Sequence, residues 1–77
     1  MSTAIDSADP TPRYAQVEAV LASNIADGTL PPGSQLPTET ALIERFGVSR
    51  PTVRRAVQNL VSRRLVEILR GKGTFVT

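Results

Sequence analysis

Cysteine, histidine and tryptophan are all absent from this 77-residue chain. Without cysteine there is no disulfide bond and no thiolate ligand for a metal, and without histidine the commonest metal ligand and general base is missing. Only one tyrosine and two phenylalanines are present, so aliphatic side chains must fill most of the core. No group of residues in the sequence suggests catalysis, and we predict that the chain is not an enzyme and has no cofactor.

Long apolar segments are absent too. No apolar run approaches the ~20 residues that a membrane-spanning helix needs, and the N-terminus lacks the basic and apolar regions of a signal peptide. The chain is long enough for one small domain. We therefore predict a single domain that resides in the cytoplasm and has no membrane partner.

The charges are divided between the two halves of the chain. Residues 1–44 contain six acids and one base, a net charge of −5, whereas residues 45–77 contain eight bases and one acid, a net charge of +7. The overall charge of +2 hides this division. A strongly basic half indicates a polyanionic partner, although solvated helix surfaces can also be basic.

Residues 1–10 are small, polar and acidic without an apolar period, which predicts a disordered tail before one domain at residues 11–77. Thr11 and Pro12 resemble an N-cap followed by proline at the first helical position. Apolar residues then recur at spacings of three and four, which predicts a helix over residues 12–27. Its apolar stripe contains Tyr14, Val17, Leu21 and Ile25, and we expect Tyr14 to belong to the core. Gly28 is the predicted left-handed stop.

Two further helices are predicted around a glycine turn. Thr38 and Ser49 are suitable N-caps, Gly47 can end the first of these helices, and Pro51 fits the first turn of the second. The second helix carries the clearest amphipathic pattern of the chain. Its apolar residues are Val53, Ala56, Val57, Leu60 and Val61. Glu39 and Glu44 could suggest a carboxylate pair for acid–base catalysis, but they do not share a face of this short helix, so capping and solvation explain them better.

Short apolar strands follow at residues 66–69 and 74–76, joined by the basic loop of residues 70–73. Residues 34–36 are a possible third, very short strand. The predicted fold is α+β and mainly α: a winged helix-turn-helix of three helices with a two- to three-stranded antiparallel wing.

The second helix of the helix-turn-helix pair suits a DNA groove. Arg50 and Arg54 lie one turn apart near its start, and the planar guanidinium fork matches guanine O6 and N7. Thr52 can bond a phosphate oxygen or place its methyl group against thymine. The alternative is that these arginines are solvated surface charges, which the lack of an acid beside them in the helix makes less attractive. The glycines of the following loop allow close approach to a groove or phosphate.

Three segments together closely resemble the N-terminal DNA-binding domain of the GntR family of bacterial transcription regulators. They are residues 30–39 (LPPGSQLPTE), 46–54 (FGVSRPTVR) and 71–76 (GKGTFV). The likeness covers about residues 12–76 and leans towards the HutC-like branch. It implies a sequence-specific DNA-binding domain of a regulator, acting as a repressor by steric block when two copies bind a palindromic operator.

The resemblance also implies which residues contact double-stranded DNA. Ser49, Arg50, Pro51, Thr52 and Arg54 match positions at the major groove and its phosphates. Arg70 and Gly71 match wing positions that reach the minor groove. Lys72 and Arg55 are expected phosphate contacts, and Thr38 and Thr40 belong to the helix that fixes register.

Departures from the family pattern affect three positions. Thr40 stands where an arginine often touches DNA, Arg64 where a glycine usually precedes the strand, and Leu69 where a polar wing residue is common. Arg64 is therefore expected either to adopt a left-handed conformation or to end the helix differently, and Leu69 to mark an altered wing or a buried strand face.

Family members normally carry a further C-terminal domain that dimerises and binds a small effector. We therefore expect a homodimer in the full-length regulator and a monomer for this chain alone. A winged-helix module for protein–protein contact is the alternative function, and it predicts an exposed apolar patch on the third helix or the wing.

Overall fold

The structure is a computed structural model that describes Ile5 and residues 8–77. Three helices precede a hairpin: α1 (Arg13–Ala26), α2 (Glu39–Phe46), α3 (Arg50–Ser62), β1 (Val66–Leu69) and β2 (Gly73–Val76). This order confirms the predicted winged helix-turn-helix. The predicted disorder of residues 1–10 falls mostly outside the described residues and stays a prediction, while Ile5 is partly buried against the core.

Helix α1 begins one residue later than expected. Pro12 has extended backbone angles (φ −54°, ψ 144°) and occupies the N-cap, not the first helical position. The predicted cap at Thr11 is wrong because the carbonyl that accepts the first helical bonds, from Ala15 and Gln16, belongs to Pro12. The Thr11 amide instead donates to Asp9 Oδ1 at 2.8 Å. Gly28, at φ 86°, follows the end of the helix as predicted.

The turn between α2 and α3 is built from local caps. Thr38 Oγ1 accepts from the Ala41 amide at 3.1 Å, and Gly47 takes the left-handed conformation (φ 64°) that ends α2. Ser49 Oγ faces the Thr52 amide at the start of α3, and Pro51 lies in the first turn, where no intrahelical N–H is required. These three helix boundaries agree with the prediction, because short-range chemistry alone determines them.

Shortly after the end of α3, Arg64 adopts a left-handed backbone conformation. Arg64 has φ 60°, and its amide donates to the Val61 carbonyl while the Leu65 amide donates to the Leu60 carbonyl. This pair of bonds is a Schellman motif, in which the left-handed position is usually glycine. The first of the two expectations for Arg64 is therefore confirmed.

The wing is a two-stranded antiparallel sheet in which Val66 pairs with Val76 and Leu69 with Gly73. A single bridge between Gln35 and Phe75 adds the predicted third segment to the other edge of β2. Backbone bonds from the Leu36 amide to the Thr74 carbonyl (2.8 Å) and from the Val76 amide to the Ser34 carbonyl (2.9 Å) hold it there. Residues 33–36 consequently lie along β2 before the chain enters α2.

The core is aliphatic apart from one phenylalanine, as the scarcity of aromatic residues predicts. Helix α3 packs against both α1 and α2. The buried cluster consists of Val17, Leu21, Leu36, Leu42, Phe46, Val48, Val53, Ala56, Leu60 and Val66. Tyr14 is not a member: it is half-buried at the edge of α1. In the part of the chain that the structure describes, no helix is both long enough and apolar enough to cross a membrane.

A polar link supplements the packing of α1 on α3. Glu18 of α1 accepts from Asn59 Nδ2 at 2.8 Å and from Arg63 Nη1 at 2.9 Å, both on α3. The Glu18 side chain is only 17% exposed, so this ion pair is less screened than a fully exposed one. Arg63 is thus engaged in holding two helices together.

Candidate nucleic-acid interface

The start of α3 presents a polar, basic surface. Ser49, Arg50, Pro51 and Arg54 are exposed and Thr52 is half-buried, with the Ser49 and Thr52 hydroxyl oxygens 2.9 Å apart. Val53 and Ala56 of the same helix are fully buried in the core. The amphipathic helix therefore anchors its apolar side in the core and leaves Arg50 and Arg54 exposed beside it.

Glu39 of α2 lies between the two arginines that were expected to read bases. One carboxylate oxygen forms an ion pair with Arg50 Nη1, and the other accepts from Arg54 Nε at 2.9 Å. The expectation that no acid lies beside these arginines holds within α3 but is wrong in space, because the partner comes from the preceding helix. Explaining Glu39 by capping and solvation is incomplete for the same reason. The hydrogen bonds from Arg50 and then Arg54 lower the pKa of Glu39.

The remaining α2 positions differ in role. Thr38 is exposed, and its hydroxyl oxygen is already an acceptor in the α2 cap. Thr40 is exposed in the first turn of the same helix. Both therefore lie beside Glu39 at the N-terminal end of α2, near the start of α3.

Arg55 does not join the Arg50–Arg54 cluster. Its guanidinium carbon lies 4.0 Å from the centroid of the Tyr14 ring, and Nη2 is 3.4 Å from the tyrosine hydroxyl. The distance of 3.4 Å makes that hydrogen bond weak, so the cation–π contact dominates. Arg55 is thus directed towards α1, while Arg50 and Arg54 are directed towards α2.

The wing loop carries the second basic surface. Arg70, Gly71 and Lys72 are exposed, and Gly71 adopts a left-handed conformation at φ 78°. Gln35 Nε2 donates to the Lys72 carbonyl at 3.2 Å and so joins the loop to the segment before α2. Within the described residues, neither Arg70 nor Lys72 has a carboxylate at ion-pair distance. Both cations are therefore available to an external anion.

A groove of about 360 Å³ separates the wing from α2 and α3. Thr38 and Glu39 of α2, Arg54 of α3 and Ile68 and Thr74 of the wing contribute to its walls. The structure thus brings the α2 candidates close to those at the start of α3, leaves Arg55 apart against Tyr14, and puts the Arg70–Lys72 candidates at the end of the wing. Sequence reasoning missed Glu39 and Gln35, since both act on residues brought close only by tertiary folding.

Two wing residues are apolar and exposed. Ile68 is 51% and Leu69 38% exposed, the latter at the end of β1 next to Arg70. The expectation of a buried strand face at Leu69 is therefore wrong, because only Val66 of β1 points into the core. This small patch is the feature that the protein-interaction alternative requires, although the adjoining loop is basic. The described residues contain no cluster of acidic side chains suited to a metal ion.

Comparison with known proteins connects this surface to a family. The family model described as "Bacterial regulatory proteins, gntR family" matches residues 13–76. The Escherichia coli mannosyl-D-glycerate transport/metabolism system repressor MngR is 48% identical over 65 residues, which are 84% of this chain and 27% of that protein. The Bacillus subtilis repressor NagR is 44% identical over 73 residues, 95% of this chain and 30% of that protein. The chain thus spans less than a third of these relatives.

A solved structure with the same fold contains a nucleic acid. The crystal structure of AraR(DBD) in complex with operator ORE1 superposes with a TM-score of 0.86 at 43% identity. The likeness covers 94% of this chain and 88% of that one. A second AraR(DBD) complex, with operator ORX1, has a TM-score of 0.83 at 45% identity, over 86% of this chain and 80% of the other. The winged-helix arrangement described above is therefore shared with domains that bind operators.

Proposed function

The chain belongs to the gntR family of bacterial regulatory proteins, and we propose that it is the sequence-specific DNA-binding domain of a transcriptional repressor. The family is one of regulators and not of enzymes. The observation that carries the proposal is the exposed start of α3, where Arg50 and Arg54 lie at the surface of a helix anchored in the core. The similarity to operator-bound domains supports it.

We assign the residues to roles by their chemistry. Arg50 and Arg54 read guanine in the major groove, because two terminal guanidinium nitrogens can donate to O6 and N7 together. Ser49 and Thr52 contact flanking phosphates from the amino end of α3, where the positive end of the helix dipole also favours anions. Pro51 keeps that first turn rigid. These contacts combine base readout with a fixed register.

The flanking contacts come from three other places. Arg70 and Gly71 enter the minor groove at the end of the wing, where Lys72 binds phosphate. Arg55 binds phosphate while its guanidinium rests on Tyr14, on the side of α3 that faces α1. Thr38 and Thr40, at the start of α2, approach the sugar–phosphate backbone of the DNA. Together these groups surround one half-site.

The proposal also concerns a longer regulator that contains this domain, because the relatives are more than three times as long as this chain. We propose that two copies bind a palindromic operator in the cytoplasm and block transcription sterically. A small effector binds outside residues 1–77 and loosens the complex. The chain by itself is expected to be monomeric and to bind DNA weakly, because a single module buries a small interface.

Protein–protein contact through the wing is the second candidate, and the exposure of Ile68 and Leu69 favours it. The two apolar side chains adjoin Arg70 and Lys72, which would have to be desolvated against a protein partner. Such desolvation is costly unless the partner supplies carboxylates. DNA satisfies the same cations with phosphates, so we rank DNA binding first.

Salt titration of binding tests the function. Duplexes selected from a randomised library by this chain would be compared with a scrambled duplex of equal length and composition. We expect steep salt dependence for both duplexes and tighter binding to the selected one. Steep salt dependence without preference would show DNA binding that lacks the proposed sequence specificity. No binding at low salt would overturn the proposal and favour the protein-contact alternative.

A further inference from the structure

Among the residues that the structure describes, Glu39 is the one acidic side chain within the proposed base-reading surface. Its side chain is 31% exposed, and its carboxylate is shared between the side chains of Arg50, 49% exposed, and Arg54, 66% exposed. The two arginines come from successive turns of α3, while the carboxylate comes from α2. A single acid therefore neutralises one of the two charges at the point where the domain is proposed to meet DNA.

The atoms used in these contacts are as important as the charges. Arg54 donates to Glu39 through Nε, which leaves both of its terminal nitrogens free. Arg50 donates through Nη1, so its Nη2 is not used in the bond to Glu39. Because guanine O6 and N7 accept from a pair of guanidinium nitrogens, the pairing through Nε preserves the donor set that Arg54 needs for base readout. The ion pairs also restrict side-chain rotamers before DNA arrives, which reduces the entropy lost on binding.

The same carboxylate disfavours contacts that carry no sequence information. A phosphate oxygen that approaches Arg50 or Arg54 also approaches the negative charge of Glu39, whatever the base sequence. Guanine O6 and N7 are neutral acceptors and meet a weaker repulsion. The carboxylate consequently opposes binding to random DNA more than it opposes readout of the correct base.

We propose that Glu39 is a positioning and specificity-determining residue: it orients Arg50 and Arg54 for base edges and penalises binding to the sugar–phosphate backbone alone. This inference rests on the proposed function. The carboxylate of Glu39 is charged at neutral pH, as is usual for glutamate, and the hydrogen bonds from Arg50 and Arg54 lower its pKa further. The pairing therefore persists under the conditions in which DNA is bound.

The test replaces Glu39 with glutamine and uses Glu44→Gln as the matched control. Glu44 lies on the same helix, is exposed, and has no ion pair among the described residues, so both variants gain the same net charge. Each protein would be titrated with the selected and scrambled duplexes at several salt concentrations. Thermal unfolding of each variant would establish that it is folded at the assay temperature.

We expect Glu39→Gln to bind the scrambled duplex about fivefold more tightly, the effect of removing one nearby repulsive charge in water. The salt slope for that duplex should steepen by about one. Affinity for the selected duplex should change by less than about twofold. Removing the negative charge of Glu39 strengthens the attraction to DNA, but Arg50 and Arg54 are then no longer oriented for the bases, and the two effects offset each other. Glu39→Asp should retain the wild-type slope, and Glu44→Gln should leave the ratio of the two affinities unchanged.

Two results would overturn the inference, and they are distinguishable from a failure of the proposed function. If wild type prefers the selected duplex but Glu39→Gln has the same ratio and slope, the role of Glu39 is refuted and DNA recognition stands. If Glu44→Gln changes the ratio as much as Glu39→Gln, the effect is one of net charge and not of position. Absence of wild-type binding to either duplex would remove the proposed function and this inference together.

Discussion

The ring of Tyr14 in α1 supports the guanidinium of Arg55 in α3: the guanidinium carbon lies 4.0 Å from the centroid of the tyrosine ring. The contact joins the first helix to the proposed DNA-binding helix at the surface of the domain. We expect Tyr14→Leu to lower the free energy of unfolding by about 0.5–1 kcal/mol, a typical exposed cation–π contribution, and Tyr14→Phe to lower it less. Urea denaturation of the two variants would measure this. Equal losses would indicate that the hydroxyl, not the ring, supports Arg55.

Arg50 should be required for discrimination between DNA sequences. Arg50→Ala is expected to remove the preference for the selected duplex, since one bidentate contact to guanine contributes about 1–3 kcal/mol of discrimination. Competition binding with selected and scrambled duplexes checks this. A variant that loses the same factor of affinity on both duplexes would exclude a base-reading role.

Lys72 is expected to contribute equally to the affinity for every duplex, whatever its sequence. Lys72→Ala should weaken binding to both sequences by a similar factor and reduce the salt slope by about one, because one phosphate contact is lost. Lys72→Arg keeps the charge and should keep the slope. An unchanged slope in the alanine variant would argue against contact between the wing and phosphate.

Replacing Arg64 with glycine should stabilise the fold. A non-glycine residue at φ 60° is strained, so Arg64→Gly should raise the free energy of unfolding by about 0.5–1 kcal/mol. Ser62→Gly, within the last turn of α3, is the control and should lower it by a similar amount. Thermal denaturation of both variants would be compared with wild type. A loss of stability in Arg64→Gly would show that the arginine side chain contributes more than its backbone strain costs.

Gly73 should tolerate alanine less well than Gly71 does. Both glycines have positive φ, but a Cβ on Gly73 would collide with the Gln35 amide, whereas the space around Gly71 is open. Gly71→Ala is therefore expected to lose about 1 kcal/mol through backbone strain alone, and Gly73→Ala a larger amount. Urea denaturation of the two variants measures the difference. Equal losses would mean that Gln35 moves aside without cost.

Short-range chemistry explains which features were predictable from sequence. Ser49, Gly47 and Gly28 act on the backbone within a few residues, and the apolar repeat of α3 needs only the helical period. The left-handed Arg64 followed from a missing glycine in a recognisable pattern. Apart from the start of α1, the helix ends and the winged fold could thus be predicted from the sequence.

Contacts between distant residues were not predictable in the same way. Glu39 lies 11 and 15 residues before Arg50 and Arg54, so its role depends on how α2 crosses α3. The orientation of Arg55 towards Tyr14 spans 41 residues. At the sequence level Glu39 looks like a first-turn acid and Tyr14 like a core residue. Only the packing of the helices against one another brings each of these side chains into contact with an arginine.

The pairing of residues 33–36 with β2 makes β2 the middle strand of the wing. One neighbour, β1, comes from the basic half of the chain, and the other comes from the acidic half, immediately before α2. Neither half can complete the sheet by itself, so we expect the domain to unfold as one cooperative unit with no stable subdomain. We therefore expect the position of the wing relative to α3 to depend on the whole folded chain.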